Sequence, residues 1–160
     1  MEEYQIIKIK GGKIKVNEKI WRRKEAIRVI EEMLEKSKMI YAIDLDGYRK
    51  NSANLDLYKK FDGKLWVDAY PRYVEDVMDL FITGINRITL WNMKDEYLKK
   101  VREICDGEIF IGEKDEKEAI KKAKRYEFKG IVLDENQSAK ADDIEIWKIY
   151  LLDGKVRRLK

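Results

Sequence analysis

The stretch from Lys64 to Trp91, KLWVDAYPRYVEDVMDLFITGINRITLW, decides the fold. Lys64-Leu65-Trp66-Val67 reads as a short strand of the kind buried on both faces of a parallel sheet. Pro71 stands just ahead of a helical segment that turns Val74, Val77, Leu80 and Phe81 inward. Gly84 falls where a helix of that length ends. Arg87 to Trp91 is a second apolar strand, so the stretch is one β-α-β unit.

The same rhythm continues in both directions. Downstream, Asn92 or Asp95 is placed to cap a helix carrying Leu98, Val101 and Ile104, and Glu108 to Ile111 is the next strand. Asp115 and Glu118 have capping-box spacing ahead of Ala119, Ile120 and Ala123, and Gly130 to Leu133 follows as a strand. Upstream, Met39 to Ile43 is an apolar run ending in Asp44-Leu45-Asp46-Gly47. Arg23 to Lys36 has helical periodicity, and Tyr4 to Val16 is a strand pair broken at Gly11-Gly12. After Asp134 the alternation stops. Asn136 to Asp143 is polar, and Ile144 to Leu151 with Lys155 to Leu159 flank Asp153-Gly154 as a hairpin. The expected fold is α/β, one domain over residues 1–160. It is a TIM-barrel-like set of about six parallel β-α strands, incomplete or closed by the C-terminal hairpin. The hairpin is expected to pair with or near the first strand and cover an open sheet edge; failing that, a homodimer buries the edge.

Composition narrows the chemistry. The chain has 160 residues, 44% of them hydrophobic, with 35 Lys+Arg against 31 Asp+Glu for a net charge of +4. It has no histidine, which excludes the commonest general base, Ser-His and Cys-His nucleophiles and most zinc chemistry. Catalysis would fall to carboxylates, Lys, Tyr or the single Cys105, which sits in an apolar helical pattern as a small hydrophobe. A lone cysteine, no apolar run of membrane-spanning length and no leader-like start give the expectation of a cytoplasmic protein away from membranes. The Lys-, Glu- and Ile-rich composition is thermophile-like. Lys155, Arg157, Arg158 and Lys160 form a small basic cluster read as a solvated strand end, so the balance argues against nucleic acid. Nothing points to a metal or a cofactor, and a small-molecule ligand is the expected partner.

Ala42-Ile43-Asp44-Leu45-Asp46-Gly47, followed by Asn54-Leu55-Asp56-Leu57, resembles two histidine-biosynthesis barrels, ProFAR isomerase and the cyclase subunit of imidazole glycerol phosphate synthase. Arg72, Glu75, Asp76 and Val77 match the same family, and the Gly11-Gly12-Lys13 hairpin is similar to its first strand and turn. The resemblance covers roughly Gln5 to Glu113 and is closest to divergent, truncated archaeal-type members. It implies a barrel with its site at the carboxyl ends of the strands. The departures are chemical. The family's first catalytic Asp falls on Lys8, its phosphate-binding glycines are replaced by Asp68-Ala69-Tyr70-Pro71, and its fourth-strand Gly-Thr by Trp91-Asn92. Its second catalytic Asp falls near Gly112-Glu113. The resemblance therefore implies a relative without isomerase activity.

Strand ends in such folds collect functional residues. Here they supply Asp44, Asp68 and Glu113 as candidate catalytic acids, with Asp46, Gly47, Arg72, Trp91 and Asn92 as candidate substrate-binding residues. Asp44 and Asp46, two apart, are expected to share a strand face. Converging acids would raise a pKa or recruit a cation; set against that, an acid after a strand is often only the cap of the next helix. Trp66 and Trp91 stack on a planar ligand or fill an undersized barrel. Lys8 is a nucleophile if buried, or a snorkelling strand residue, and Arg72 binds an anion or pairs with Glu75.

Overall fold

A computed structural model describes residues 2–160. The strands are β1 (Glu3–Lys10), β2 (Lys13–Val16), β3 (Lys19–Trp21), β4 (Ile40–Asp44), β5 (Leu65–Asp68), β6 (Arg87–Trp91), β7 (Glu108–Gly112), β8 (Gly130–Leu133), β9 (Glu145–Tyr150) and β10 (Lys155–Arg158). Between them lie α1 (Arg23–Lys36), α2 (Leu45–Lys50), α3 (Leu55–Tyr58), α4 (Val74–Ile82), α5 (Asp95–Ile104) and α6 (Glu116–Arg125). Strands β1 and β4 to β10 close into an eight-stranded barrel. From β1 through β4 to β9 each barrel strand pairs parallel with the last; β10 runs antiparallel to both β9 and β1 and seals the ring.

The hairpin thus lies against the first strand, as its sequence suggested, but its first arm differs from expectation. β9 is a seventh parallel strand, reached from β8 by a loop instead of a helix. Gln137 fixes that loop: its side-chain amide donates to the carbonyls of Glu113 and Lys114 at 2.7 and 2.9 Å. Ala139, Ala141 and Ile144 then pack on the core where a helix would sit. A second departure is β3, which pairs with β2 and extends the sheet outward beyond β1.

Alternation along the strands explains why they are apolar on both faces. Ile40, Ala42, Leu65, Val67, Ile88 and Leu90 face outward onto helical side chains such as Ala26, Ile30, Val77 and Leu98. The alternate residues fill the barrel. Trp66 is fully buried at its centre, with ring centroids 4.5 Å from Phe110, 4.9 Å from Tyr41 and 5.0 Å from Trp147. Its indole N–H donates to Thr89 at 2.9 Å. Trp66 is therefore core filling in the barrel itself. Gly84, at φ 98°, ends α4 in the left-handed conformation that glycine tolerates. The cap of α5 is Lys94, without a side-chain bond, rather than Asn92 or Asp95; Asp115 does cap α6, accepting from the Lys117 amide. No helix among the described residues is long and apolar enough to cross a membrane.

Candidate functional site

The acids at the strand ends fall into three separate hydrogen-bond networks. Strand β4 stops at Asp44 and α2 begins at Leu45, so Asp44 and Asp46 do not share a strand face. Asp44 is fully buried outside the barrel. It accepts from the Gly47 amide at 3.0 Å, the Asn54 amide at 2.7 Å, the Asn54 side chain at 2.9 Å and the Tyr58 hydroxyl. Asp46 accepts from the Gly11 amide at 2.6 Å and from the same Asn54 side-chain nitrogen at 2.9 Å. Burial works against its charge, but the Gly11 amide, Asn54 and nearby lysines together hold its pKa below the usual value. Asn54 also accepts from the Gly12 amide. The motif that carries the family resemblance is thus a hub tying the first hairpin to β4 and α3.

Gly47 belongs to the same hub. Its amide donates to Asp44, and its Cα lies so close to the Ala69 backbone that any Cβ would collide. It also lines a cleft of about 190 Å³ with Asn51, Ala53, Pro71 and Asp76. Arg72 neither pairs with Glu75 nor stands free for an anion. Its guanidinium donates to the carbonyls of Gly47, Tyr48 and Tyr70, clamping α2 to the loop after β5. Glu113 pairs with Lys122 of α6 at 3.2 Å, away from the barrel lumen, and its second oxygen is buried without a partner among the described residues. Among the described residues no group of three or more metal-ligating side chains converges.

Asp68 is different. It is 1% exposed and, by alternation with Trp66, points into the barrel near the carboxyl mouth. Three side chains from three elements donate to it: Tyr41 and Tyr48 hydroxyls, both at 2.6 Å, and the Trp91 indole at 3.0 Å. A directed chain runs behind Tyr41, whose hydroxyl lies 3.0 Å from Thr89, which in turn accepts from Trp66. No Lys or Arg among the described residues lies within ion-pair distance of Asp68. Burial raises its pKa above the usual carboxylate range against the pull of the three donors, with Asp44 adding repulsion. Burial likewise pushes the Tyr41 and Tyr48 hydroxyls far up, so both remain neutral donors.

Around Asp68 the mouth carries strained backbone. Tyr70 and Asn92, which follow β5 and β6, have φ of 52° and 54°. A bulky tyrosine there is uncommon and stores strain of the kind that gathers at functional sites. Asn92 donates to the Tyr70 hydroxyl at 3.1 Å and accepts from the Lys114 amide, linking three loops. Trp91 is half-buried and lies over Gly112, where a Cβ would collide with its ring. Lys8, half-buried, is on the face of β1 that points Tyr4 and Ile6 inward.

Of the eight candidate residues, then, the structure brings Asp68, Trp91 and Asn92 to one mouth. Asp44, Asp46 and Gly47 form the hub beside it, Arg72 clamps the hub, and Glu113 stands apart. Sequence reasoning missed the roles of Tyr41, Tyr48, Tyr70 and Asn54. Tyr41 lies in an apolar run that reads as core, Tyr48 in α2 and Tyr70 in the loop after β5 carry no local signal of a partner, and Asn54 entered only as part of the family motif. The C-terminal cations prove to be paired: Lys155 and Arg157 with Glu3, Arg158 with Glu2, and Lys160 with Asp142. Neither family models nor curated proteins return a match to the chain, so geometry alone carries the functional argument.

Proposed function

We propose that this chain is a reduced (βα)-type barrel, a divergent relative of ProFAR isomerase and the imidazole glycerol phosphate synthase cyclase. It binds a small polar or anionic metabolite at the carboxyl ends of its strands and does not isomerise ProFAR. The carrying observation is Asp68, a buried carboxyl held by neutral donors alone at the barrel mouth. Asp44 caps α2 and Asp46 ties Gly11 and Asn54 to it; Asp68 caps no helix, pairs with no cation among the described residues and points into the barrel. Trp91 and Tyr48 are the surfaces a ligand meets, and Asp68 fixes the orientation of both rings. Lys8 supplies the cation from β1, two strands along from Asp68 and in register with it through Ile43. It also removes the acid on which the family's isomerase chemistry depends.

A thermal-shift screen of small phosphates, carboxylates and amino sugars tests the reading. A ligand at a hundred times its Kd adds roughly 2.7 kcal/mol to stability. The shift is expected with the wild type and lost in Trp91→Phe and Asp68→Asn. Silence across the screen, or a shift that both variants keep, overturns the reading in favour of a non-catalytic scaffold. One observation favours that rival: the lumen beneath Asp68 is filled by Trp66, Phe110 and Trp147.

A further inference from the structure

The strongest charge asymmetry in the molecule begins at Lys8 and runs outward from the mouth along β1, β2 and β3. Between Lys8 and Lys24 there are eight basic residues and one acid, a net +7, so with +4 for the whole chain the remaining residues carry −3. The sheet register sorts these charges. Lys8 lies directly opposite Lys15, Lys10 opposite Lys13, and Lys15 opposite Ile20 on the next strand, so four lysines and an isoleucine share one face. Directly opposed like charges repel. None of the four lysines has an ion-pair partner among the described residues, whereas the cations of β10 are paired. Arg22, Arg23 and Lys24 extend the same charge along a groove of about 990 Å³.

Exposed aliphatic groups accompany the lysines. Ile20 is 58% exposed on the lysine face. The β9–β10 turn presents Leu151 and Leu152, the latter 98% exposed. This turn is seated beside the β2–β3 turn: the Gly154 carbonyl accepts from the Ile6 amide, and Asn17 closes on Gly154. Because β2 runs back from the carboxyl end, the β2–β3 turn meets the β9–β10 turn along the side of β1, level with Ile6.

We infer that this face of the β1–β3 sheet, with the adjoining β9–β10 turn, docks on an anionic lipid surface, with Lys10, Lys13 and Lys15 against the headgroups and Leu151, Leu152 and Ile20 at the acyl boundary. The aliphatic groups decide between polyanions. A nucleic-acid strand calls for aromatic stacking or base-edge contacts, and the aromatic residues of β1–β3 are not offered for it: Tyr4 is buried in the barrel and Trp21 is on the opposite face, packed on the core. A lipid surface uses both the cations and the exposed leucines. Holding like charges face to face without partners also fits a binding surface, where stability is given up for function.

Vesicle sedimentation tests this with the full chain, using phosphatidylcholine alone and phosphatidylcholine with phosphatidylserine. Binding is expected only with the anionic lipid and weakens as salt rises. Lys13→Glu/Lys15→Glu should weaken it roughly thirtyfold or more, from about 1 kcal/mol per lysine at the surface. Because the repulsion is relieved, that variant should melt no lower than wild type, which separates lost binding from lost folding. Leu151→Ser/Leu152→Ser should weaken binding and leave the remainder fully salt-sensitive. Lys99→Glu/Lys117→Glu, an equal charge change on the helical layer, should leave binding nearly intact. Equal binding to neutral vesicles, indifference to the Lys13/Lys15 change, or tighter capture of a fluorescent oligonucleotide that ignores the leucines would each overturn the inference. The small-ligand shift assigned to Asp68 and Trp91 is unaffected by either outcome.

Discussion

At the amino-terminal mouth of the barrel, Arg87, Glu108, Lys129, Glu145, Arg158 and Glu2 neutralise one another; at the carboxyl mouth, Asp68 and Lys8 have no ion-pair partner among the described residues. The amino-terminal set is also stacked into the core, with the Arg87 guanidinium 4.9 Å from the Trp66 ring and 5.2 Å from Phe110. Burial opposes the charge of Glu108, yet Arg87 and Lys129 hold its pKa below the usual value. At the other mouth the carboxyl meets only hydroxyl and indole donors, and its pKa goes up. The same barrel, with the same aromatic filling, treats charge in opposite ways at its two ends. Asp44, also buried among neutral donors, caps α2 and holds the hub together; Asp68 has neither a counter-charge among the described residues nor a helix to cap.

The comparison breaks first at the hub. If Asp44 is structural, Asp44→Ala strands the Tyr58 hydroxyl and two backbone amides and leaves the Asn54 side chain with Asp46 alone, at a cost of about 4 kcal/mol. A urea midpoint close to wild type would return Asp44 to the candidate catalytic acids. Arg87→Met at the paired mouth should cost about 3 kcal/mol, since it leaves the Glu108 charge half-buried with Lys129 alone. An unchanged midpoint there would show that the ionic ring is ornamental and remove the contrast between the mouths. Glu113→Gln should cost only about 1 kcal/mol, by weakening its contact with Lys122.

Much of this architecture was legible because periodicity is a local signal. The β-α rhythm from Met39 to Leu133 needs only neighbouring residues to be read. The end of the chain was harder. Ile144 to Leu151 has the same alternation whether it joins a parallel ladder or starts a hairpin, and β9 does both. The site was legible by position rather than by role. Asp44, Asp46 and Asp68 all follow or end apolar runs, yet one extra strand residue separates an outward carboxyl from an inward one. Asp44 ends β4 facing the helices; Asp68 ends β5 facing the lumen. The lysine face escaped notice because its charges alternate with apolar residues over three strands. Only the register places Lys8 against Lys15 and Lys10 against Lys13.

Asp68→Asn gives a small change in stability and the sharpest test, because its sign depends on pH. Burial raises the Asp68 pKa in the folded protein above its unfolded value. As pH rises through the ordinary carboxylate range, the unfolded chain therefore releases this proton before the folded one does. The folded state then holds more protons, and the contribution of Asp68 to stability falls with rising pH until the folded carboxyl has also ionised. This is opposite to the behaviour of Asp46 and Glu108, whose depressed values add stability as pH rises. Asparagine cannot ionise. Below the carboxylate range, where Asp68 is neutral too, the variant should melt within about 1.5 kcal/mol of wild type, since the two side chains are nearly the same size. Across the window above it, the variant should gain on wild type with each step in pH and then hold a constant difference. Urea midpoints for both proteins, taken from acid to neutral pH, measure that difference directly. Parallel curves would mean that Tyr41, Tyr48 and Trp91 fully offset the burial of the carboxyl. Asp68 would then be one more satisfied structural acid, and the contrast between the two mouths would rest on Lys8 alone.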